Sequence, residues 1–337
     1  MFTPEALKEE LTKPKHIVVT THHKPDGDAL GSSLAIYHWL RAKNHLVQVV
    51  VPSDFPTFLD WLPGREDVRI YTDDKAANDA LIEQAEIIFC LDFNGLPRIH
   101  AMEEAVRNAA GTKIMIDHHL DPEGFDDYRH WDSHAAASAQ LVYDFIVNVM
   151  DDHRSITPEI ATCLYTGIMT DTGSFRFQTT TPLVHNIAAD LIALGAKNWE
   201  IHEQVYNSYT ENRMKFLGFC LLNRLEVLPE YRTALFSISR QDLKRFQITT
   251  GDTEGLVNYA LAISGMKLAA LIIDRTEQVK LSLRSIGDFP CNEICKRYFN
   301  GGGHRNAAGG NSNEPLPEVV KKFKSILQEY KTLLTHN

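Results

Sequence analysis

A parallel-sheet α/β first half and a smaller α+β second half with a mixed sheet form the architecture that this 337-residue chain predicts. Three observations predict it. From His16 to about Asn198, short β-rich apolar runs alternate with longer helical ones, as in βα units whose parallel sheet carries helices on both faces. After Asn212 the strands come in pairs around short turns, as hairpins do. The length itself suits about two domains. The expected division is a first domain over 1–198, a helical linker over 199–214 and a second domain over 215–337.

In chain order, Thr3 and Pro4 read as the N-cap and first residue of a short amphipathic helix. His16–Thr21 is a strand. Ala29–Lys43 places Leu30, Leu34, Ile36, Tyr37 and Leu40 at helical spacing, with Asp28 near its N-cap. Leu46–Val51 is a second strand, and Glu86–Leu91 is a near-continuous apolar run of the kind buried parallel strands show. Leu96–Ala110 reads as helix and Lys113–Ile116 as strand. Ser138–Met150, Pro158–Thr170 and Thr181–Leu194 read as helices, the last stopped by Gly195. Trp199–Asn212 breaks the alternation and is the candidate linker. Asn223–Leu228 and Thr233–Ser239 then flank the turn Pro229–Tyr231, and Lys267–Asp274 and Val279–Ser285 flank Arg275–Gln278. Between the hairpins a helix is expected over Asp252–Ile263. Leu316–Leu334 is an amphipathic helix.

The formal net charge is −10 and there is no long basic tract, which argues against capture of duplex DNA. A small anionic substrate can still bind where cations reverse the local sign. No apolar run approaches the roughly 20 residues of a membrane span. The N-terminal stretch has acidic residues and no apolar core of a secretion signal. The five cysteines (Cys90, Cys163, Cys220, Cys291, Cys295) are scattered and read as reduced thiols. A cytoplasmic location is therefore expected. No association with membrane is expected, and a homodimer is left open.

Four apolar runs each deliver Asp or His at or just beyond their C-terminal ends. The first gives His22, Asp26 and Asp28; the second Asp92; the third Asp117, His118 and His119; the fourth Asp171. Taken singly, each has a plainer reading: a turn at Asp26-Gly27-Asp28, a helix cap at Asp92, a helix stop at Asp171. Taken together they belong at one rim, because the carboxyl ends of parallel strands share one edge, where ligands bind. So many carboxylates repel one another unless cations hold them. Four Asp with two or three His suit a pair of divalent ions, Mn²⁺ above all and Mg²⁺ as an alternative. Two ions bridged by one carboxylate lie about 3.5–4 Å apart and activate a water for in-line attack on phosphorus. Asp171 adds a hint of its own: an anion at a helix C-terminus opposes the macrodipole, and a bound cation reverses that cost.

These residues resemble the motifs of the DHH phosphoesterase superfamily, which is named for a triplet like Asp117-His118-His119. His22–Ala29 looks like its first motif, Asp92 its second, Asp117–His119 its third and Gly167–Gly173 its fourth. Gly301-Gly302-Gly303-His304 with Ala307-Ala308-Gly309 looks like the glycine-rich motif of the associated DHHA1 domain. Length and layout are similar to the RecJ-like nanoRNase/pAp-phosphatase type. That resemblance implies a metal-dependent hydrolase of short single-stranded oligoribonucleotides and of 3′-phosphoadenosine 5′-phosphate. It implies one ion on His22, Asp26 and Asp92, and a second on Asp28, Asp92, His118 and Asp171. Asp117 would then orient a neighbouring ligand, and His119 would face the substrate phosphate. Two positions depart from the family pattern: Phe93-Asn94 follows Asp92 where a small hydroxyl residue is commoner, and three glycines precede His304 where four are frequent.

The second domain reads as substrate recognition. In Val279–Ser285 the residues Val279, Leu281 and Leu283 alternate with Lys280, Ser282 and Arg284, which places Arg284 opposite the core. Gly301, Gly302 and Gly303 allow backbone N–H groups to approach an anion. Arg284, Ser285 and His304, with Arg305 as a further candidate, are expected to grip a terminal phosphate. Three other readings stand beside this one. They are an inorganic polyphosphate or pyrophosphate hydrolase, a cyclic-dinucleotide phosphodiesterase, and a nucleotide sensor without turnover. The sensor would be expected to lack a ligand, and none is lacking here.

Overall fold

The structure, a computed structural model, describes residues 3–275 and 277–336. The chain divides into two compact units, Met1–Ser208 and Tyr209–Asn337. Among the described residues no helix is long and apolar enough to cross a membrane.

In the first unit six strands form one sheet: β1 (His16–Thr21), β2 (Leu46–Val51), β3 (Val68–Ile70), β4 (Ile87–Leu91), β5 (Thr112–Asp117) and β6 (Tyr128–Trp131). Every neighbouring pair is parallel and the spatial order is β3-β2-β1-β4-β5-β6. The order reverses between β1 and β4, so a crevice opens beyond their C-terminal ends. Alternate residues serve opposite faces. Ile17, Val19 and Phe89 join one apolar core, while Val18, Ile88 and Cys90 join another. Burial on both faces is why these strands read as continuous apolar runs.

The helices follow the expected order with corrections. In α1 (Pro4–Glu10) the Thr3 hydroxyl accepts from the Ala6 N–H at 3.2 Å. The next helix, α2 (Gly27–Arg41), begins two residues earlier than expected, with Asp26 as its N-cap and Asp28 close by. Asp26 Oδ1 accepts from the N–H groups of Asp28 and Ala29, both at 3.1 Å, which leaves Asp28 inside the first turn. A helix α3 (Lys75–Gln84) and the strands β3 and β6 were not anticipated. β3 is three residues long and β6 reads Tyr-Arg-His-Trp, so neither shows a period. Leu96–Ala110 is not one helix. A 3-10 segment, Leu96–Met102, is broken at His100 (φ 47°, ψ −113°) and leads into α4 (Glu103–Asn108). The remaining helices of the unit are α5 (Ser138–Asp144), extended by a π-turn over Phe145–Val149, then α6 (Pro158–Asp171), α7 (Pro182–Ala193) and α8 (Asn198–Tyr206).

The contact between α2 and α6 is made by main chain. A Cβ at Gly31 would lie 2.5 Å from the Cys163 carbonyl oxygen and 3.1 Å from the Gly167 nitrogen. A Cβ at Gly167 would lie 2.9 Å from Asp28 Oδ1. Only glycine permits this approach.

The second unit opens with α9 (Glu211–Asn223) and carries its own six-stranded sheet. Its strands are β7 (Leu225–Leu228), β8 (Thr233–Ile238), β9 (Leu268–Asp274), β10 (Val279–Ser285), β11 (Gly302–His304) and β12 (Ala307–Ser312). The order is β11-β12-β10-β9-β8-β7; β8 and β9 run parallel and all other pairs antiparallel, so the sheet is mixed. Between strands lie α10 (Arg240–Arg245), α11 (Leu256–Leu261) and α12 (Cys291–Tyr298). The helix expected over Asp252–Ile263 is thus only its later part, because Gly255 holds a left-handed conformation (φ 76°) ahead of it. The tail helix is two helices, α13 (Leu316–Glu329) and α14 (Lys331–Thr335). In the turn Arg275–Gln278 the Arg275 N–H donates to the Gln278 carbonyl at 2.9 Å; residue 276 lies outside the described residues.

Candidate metal centre

The crevice of the first sheet collects the acids and imidazoles. His22 follows β1, Asp92 follows β4, Asp117 ends β5 with His118 and His119 just beyond, and Asp171 is the last residue of α6. Asp28 is brought in by the first turn of α2 and Asp26 by its cap. His22, Asp28, Asp92, Asp117 and His118 are buried.

Three donor groups form here, in each of which the ligand atoms lie within 4.8 Å of one another: His22–Asp26–Asp92, Asp28–Asp92–His118 and Asp92–Asp117–His119. Asp92 belongs to all three. Its Oδ2 is 3.4 Å from His22 Nε2, while its Oδ1 is 3.6 Å from His118 Nε2. One carboxylate therefore offers a separate oxygen to each side. His22 Nε2 is 3.9 Å from Asp26 Oδ1, and His118 Nε2 is 3.8 Å from Asp28 Oδ2 and 3.6 Å from Asp171 Oδ2. Asp92 adopts a left-handed backbone conformation (φ 63°), which Asp tolerates better than most non-glycine residues.

The imidazoles are oriented from behind. His22 Nδ1 pairs with the His23 carbonyl at 3.0 Å and His118 Nδ1 with the Ala135 carbonyl at 3.1 Å. A carbonyl can only accept, so these bonds fix Nδ1 as the donor and leave Nε2 as the ligand nitrogen. His119 Nδ1 donates to Asp117 Oδ1 at 2.8 Å, and Asp117 Oδ2 is buried without a hydrogen-bond partner among the described residues.

Electrostatics show the strain of this crowding. Burial, then the charges of Asp92, Asp171 and Asp26, push the Asp28 carboxyl well above the usual carboxylate range. Burial acts on Asp92 the same way, but His22, His119 and His118 outweigh it and hold Asp92 below that range. Burial disfavours charge on His22 and His118 too; the nearby carboxylates more than offset it and raise both. His119 is lowered, by burial first and then by Arg98.

The residues fit a pair of cations. Separations of 3.4–3.9 Å between Nε2 and carboxylate oxygens are too long for good hydrogen bonds. They are close to the roughly 3–3.5 Å that two ligands about 2.1 Å from a shared ion must keep. A mixed carboxylate and imidazole set is the donor chemistry of Mn, Fe or Zn.

Sequence reasoning missed the groups that hold this set in place. The N–H groups of Ser138 and Ala139, at the start of α5, donate to Asp28 Oδ2 and Oδ1 at 2.6 and 2.8 Å. The Ser138 hydroxyl donates to Asp92 Oδ1 at 2.8 Å. Backbone donors 110 residues away leave no signature in composition or periodicity, and a single serine is too common to stand out.

In the second unit Arg284 lies on the partly exposed face of β10, where its Nη1 donates to the Leu283 carbonyl at 3.0 Å. Ser285 is on the opposite, buried face. Its hydroxyl donates to the Phe289 carbonyl at 2.7 Å and accepts from Asn306 at 2.9 Å, so the fold already uses the group that was expected to grip substrate. Gly302, Gly303 and His304 make up β11, not an open loop, and pair with β12. Gly301 lies so close to Gly309 that a Cβ would overlap its carbonyl, a packing reason for that glycine.

The chain belongs to the DHH family: the family's N-terminal domain matches residues 16–168 and the DHHA1 domain matches residues 235–332. It is a hydrolase of phosphoester bonds. It is 32% identical to the bifunctional oligoribonuclease and PAP phosphatase NrnA of Thermus thermophilus, over 87% of this chain and 83% of that one. It is 28% identical to the Bacillus subtilis protein of the same description, over 93% and 95%. The crystal structure of an exopolyphosphatase-related protein from Bacteroides fragilis superposes with a TM-score of 0.93 at 39% identity, covering 99% of this chain and 97% of that one.

Proposed function

We propose that this protein is a cytoplasmic, divalent-cation-dependent phosphoesterase of short oligoribonucleotides and of 3′-phosphoadenosine 5′-phosphate. The observation that carries the reading is Asp92, which turns one oxygen toward His22 and the other toward His118. We assign His22, Asp26 and Asp92 to one cation and Asp28, Asp92, His118 and Asp171 to the other, with Mn²⁺ as the preferred ion. When bound, the pair supplies a Lewis acid for phosphoryl oxygen and lowers the pKa of water.

The chain's own residues do the rest. Ser138 and the backbone of α5 hold Asp28 and Asp92 against mutual repulsion. Asp117 holds the His119 ring by Nδ1. Burial and then Arg98 disfavour a proton on His119, which is assigned to the phosphate group beside the metals. In the second unit Arg284, His304 and the Gly301–Gly303 backbone are assigned to a substrate phosphate. Relatives described as NrnA act on oligoribonucleotides and PAP, which supports this choice of substrate.

The test is a product-resolved assay with Mn²⁺ on a 5′-phosphorylated dinucleotide, a longer RNA, PAP, a cyclic dinucleotide and pyrophosphate. Rapid cleavage of the dinucleotide and PAP is expected. Turnover confined to pyrophosphate, which the exopolyphosphatase-related relative makes worth including, would reject the reading.

A further inference from the structure

Arg98 is a half-buried arginine beside a site rich in carboxylates, yet among the described residues its guanidinium forms no hydrogen bond, ion pair or ring contact. Five aspartates gather in the crevice, Asp26, Asp28, Asp92, Asp117 and Asp171, and Arg98 pairs with none of them. A cation kept out of reach of so many anions is placed for something else.

Its backbone is fixed at the site. The Arg98 carbonyl accepts from the His23 N–H at 2.8 Å, next to the ligand candidate His22. Two residues on, the His100 ring stacks on that of His23 with centroids 4.1 Å apart and planes 14° apart. His100 holds a backbone conformation (φ 47°, ψ −113°) that non-glycine residues rarely adopt. Such strain persists only where the surroundings over-determine it, and it concentrates at working sites. The segment that carries Arg98 is therefore held to the residues after β1 at the arginine itself and again two residues beyond it. The Arg98 charge lies near enough to His22, just past β1, and to His119, just past β5, to disfavour a proton on each ring.

We propose that Arg98 is a phosphate-binding residue of the first unit, gripping the phosphoryl group under attack with its planar guanidinium. Phosphate is the anion that a guanidinium fork fits in two parallel bonds. This places a positive contact on the reacting group itself. The inference rests on the phosphoesterase reading above.

The test uses the full chain with Mn²⁺ and the 5′-phosphorylated dinucleotide. Wild-type turnover comes first; its absence would remove the phosphoesterase reading rather than the role of Arg98. Arg98→Gln is then expected to lower kcat/KM about 10–100-fold, the range of a charge-assisted hydrogen bond, chiefly through kcat. Arg98→Lys keeps the charge without the fork and is expected to recover part of that loss. Two measurements separate this from structural damage. Mn²⁺ affinity and stoichiometry by calorimetry should match wild type in both variants, and inhibition by inorganic phosphate should weaken at least tenfold in Arg98→Gln. Unchanged phosphate inhibition with unchanged kcat/KM would overturn the proposal. So would a loss of activity that follows a loss of Mn²⁺ binding.

Discussion

Replacing Asp92 by Asn should uncouple cation binding from the fold, and the structure sets the size of the effect. Cations held at 100 times their dissociation constant add about 2.7 kcal/mol per site, so two sites add about 5 kcal/mol. In a unit of roughly 200 residues, 1 kcal/mol moves the melting midpoint by about 2–4 °C. Wild-type protein should therefore melt about 10–20 °C higher in saturating Mn²⁺ than in chelator. Asp92 gives an oxygen to each side, so Asn weakens both sites at once. A loss of about 100-fold per site, the upper end for losing even a supporting partner, leaves about 0.4 kcal/mol each. The Mn²⁺-induced rise should then shrink to about 2–3 °C, and hydrolysis should fall below detection. In chelator the variant should unfold within about 1 kcal/mol of wild type, because Asn tolerates the left-handed backbone at this position and can still accept from Ser138. Asp92→Ala would add about 1 kcal/mol of backbone strain. The assay is thermal denaturation with and without Mn²⁺. A variant that kept the full wild-type rise would refute the bridging role.

Three further expectations follow from other parts of the fold. Gly31→Ala drives a methyl group to 2.5 Å from the Cys163 carbonyl, so α2 and α6 must part. A loss of about 1–3 kcal/mol in urea unfolding is expected, with lower Mn²⁺ affinity, since these helices carry Asp28 and Asp171. Asp242 accepts two bonds of 2.8 Å from Arg224. Burial opposes its charge, but Arg224 and Ser239 outweigh burial and lower its pKa in the folded state. Its contribution is thus fully present above the unfolded value of about 3.9 and is lost as pH falls through the folded value. Urea midpoints of wild type and Asp242→Asn should differ at pH 6 and converge toward pH 2; a constant gap would argue against the linkage. All five cysteines are buried, and burial pushes Cys220 and Cys295 up to about 12. Ellman's reagent should label none of them in the native protein within minutes and all five in guanidinium; rapid native labelling would show the burial to be wrong.

Much of the site was legible because its residues end apolar runs, and parallel strands deliver their ends to one edge. His22, Asp92 and Asp117–His119 needed no more than that. What stayed hidden depends on contacts with no local pattern. Asp28 is held by N–H groups of Ser138 and Ala139, far along the chain, and any residue type can present a backbone donor. The start of α2 was read two residues late because either Asp26 or Asp28 suits a cap, and only the helix start decides between them. Ser285 looked available because it follows Arg284, but strand alternation turns neighbours to opposite faces, and its hydroxyl was committed to Phe289 and Asn306. Arg98 sits in a 3-10 segment that periodicity presents as an ordinary helix.

The glycine contact between α2 and α6 has a consequence for how such a catalyst can vary. Where Gly31 and Gly167 let the two helices touch, the distance from Asp28 to Asp171 is set by the thickness of the polypeptide backbone itself. The spacing of those two acids thus hangs on a few hydrogen atoms that no side chain can replace.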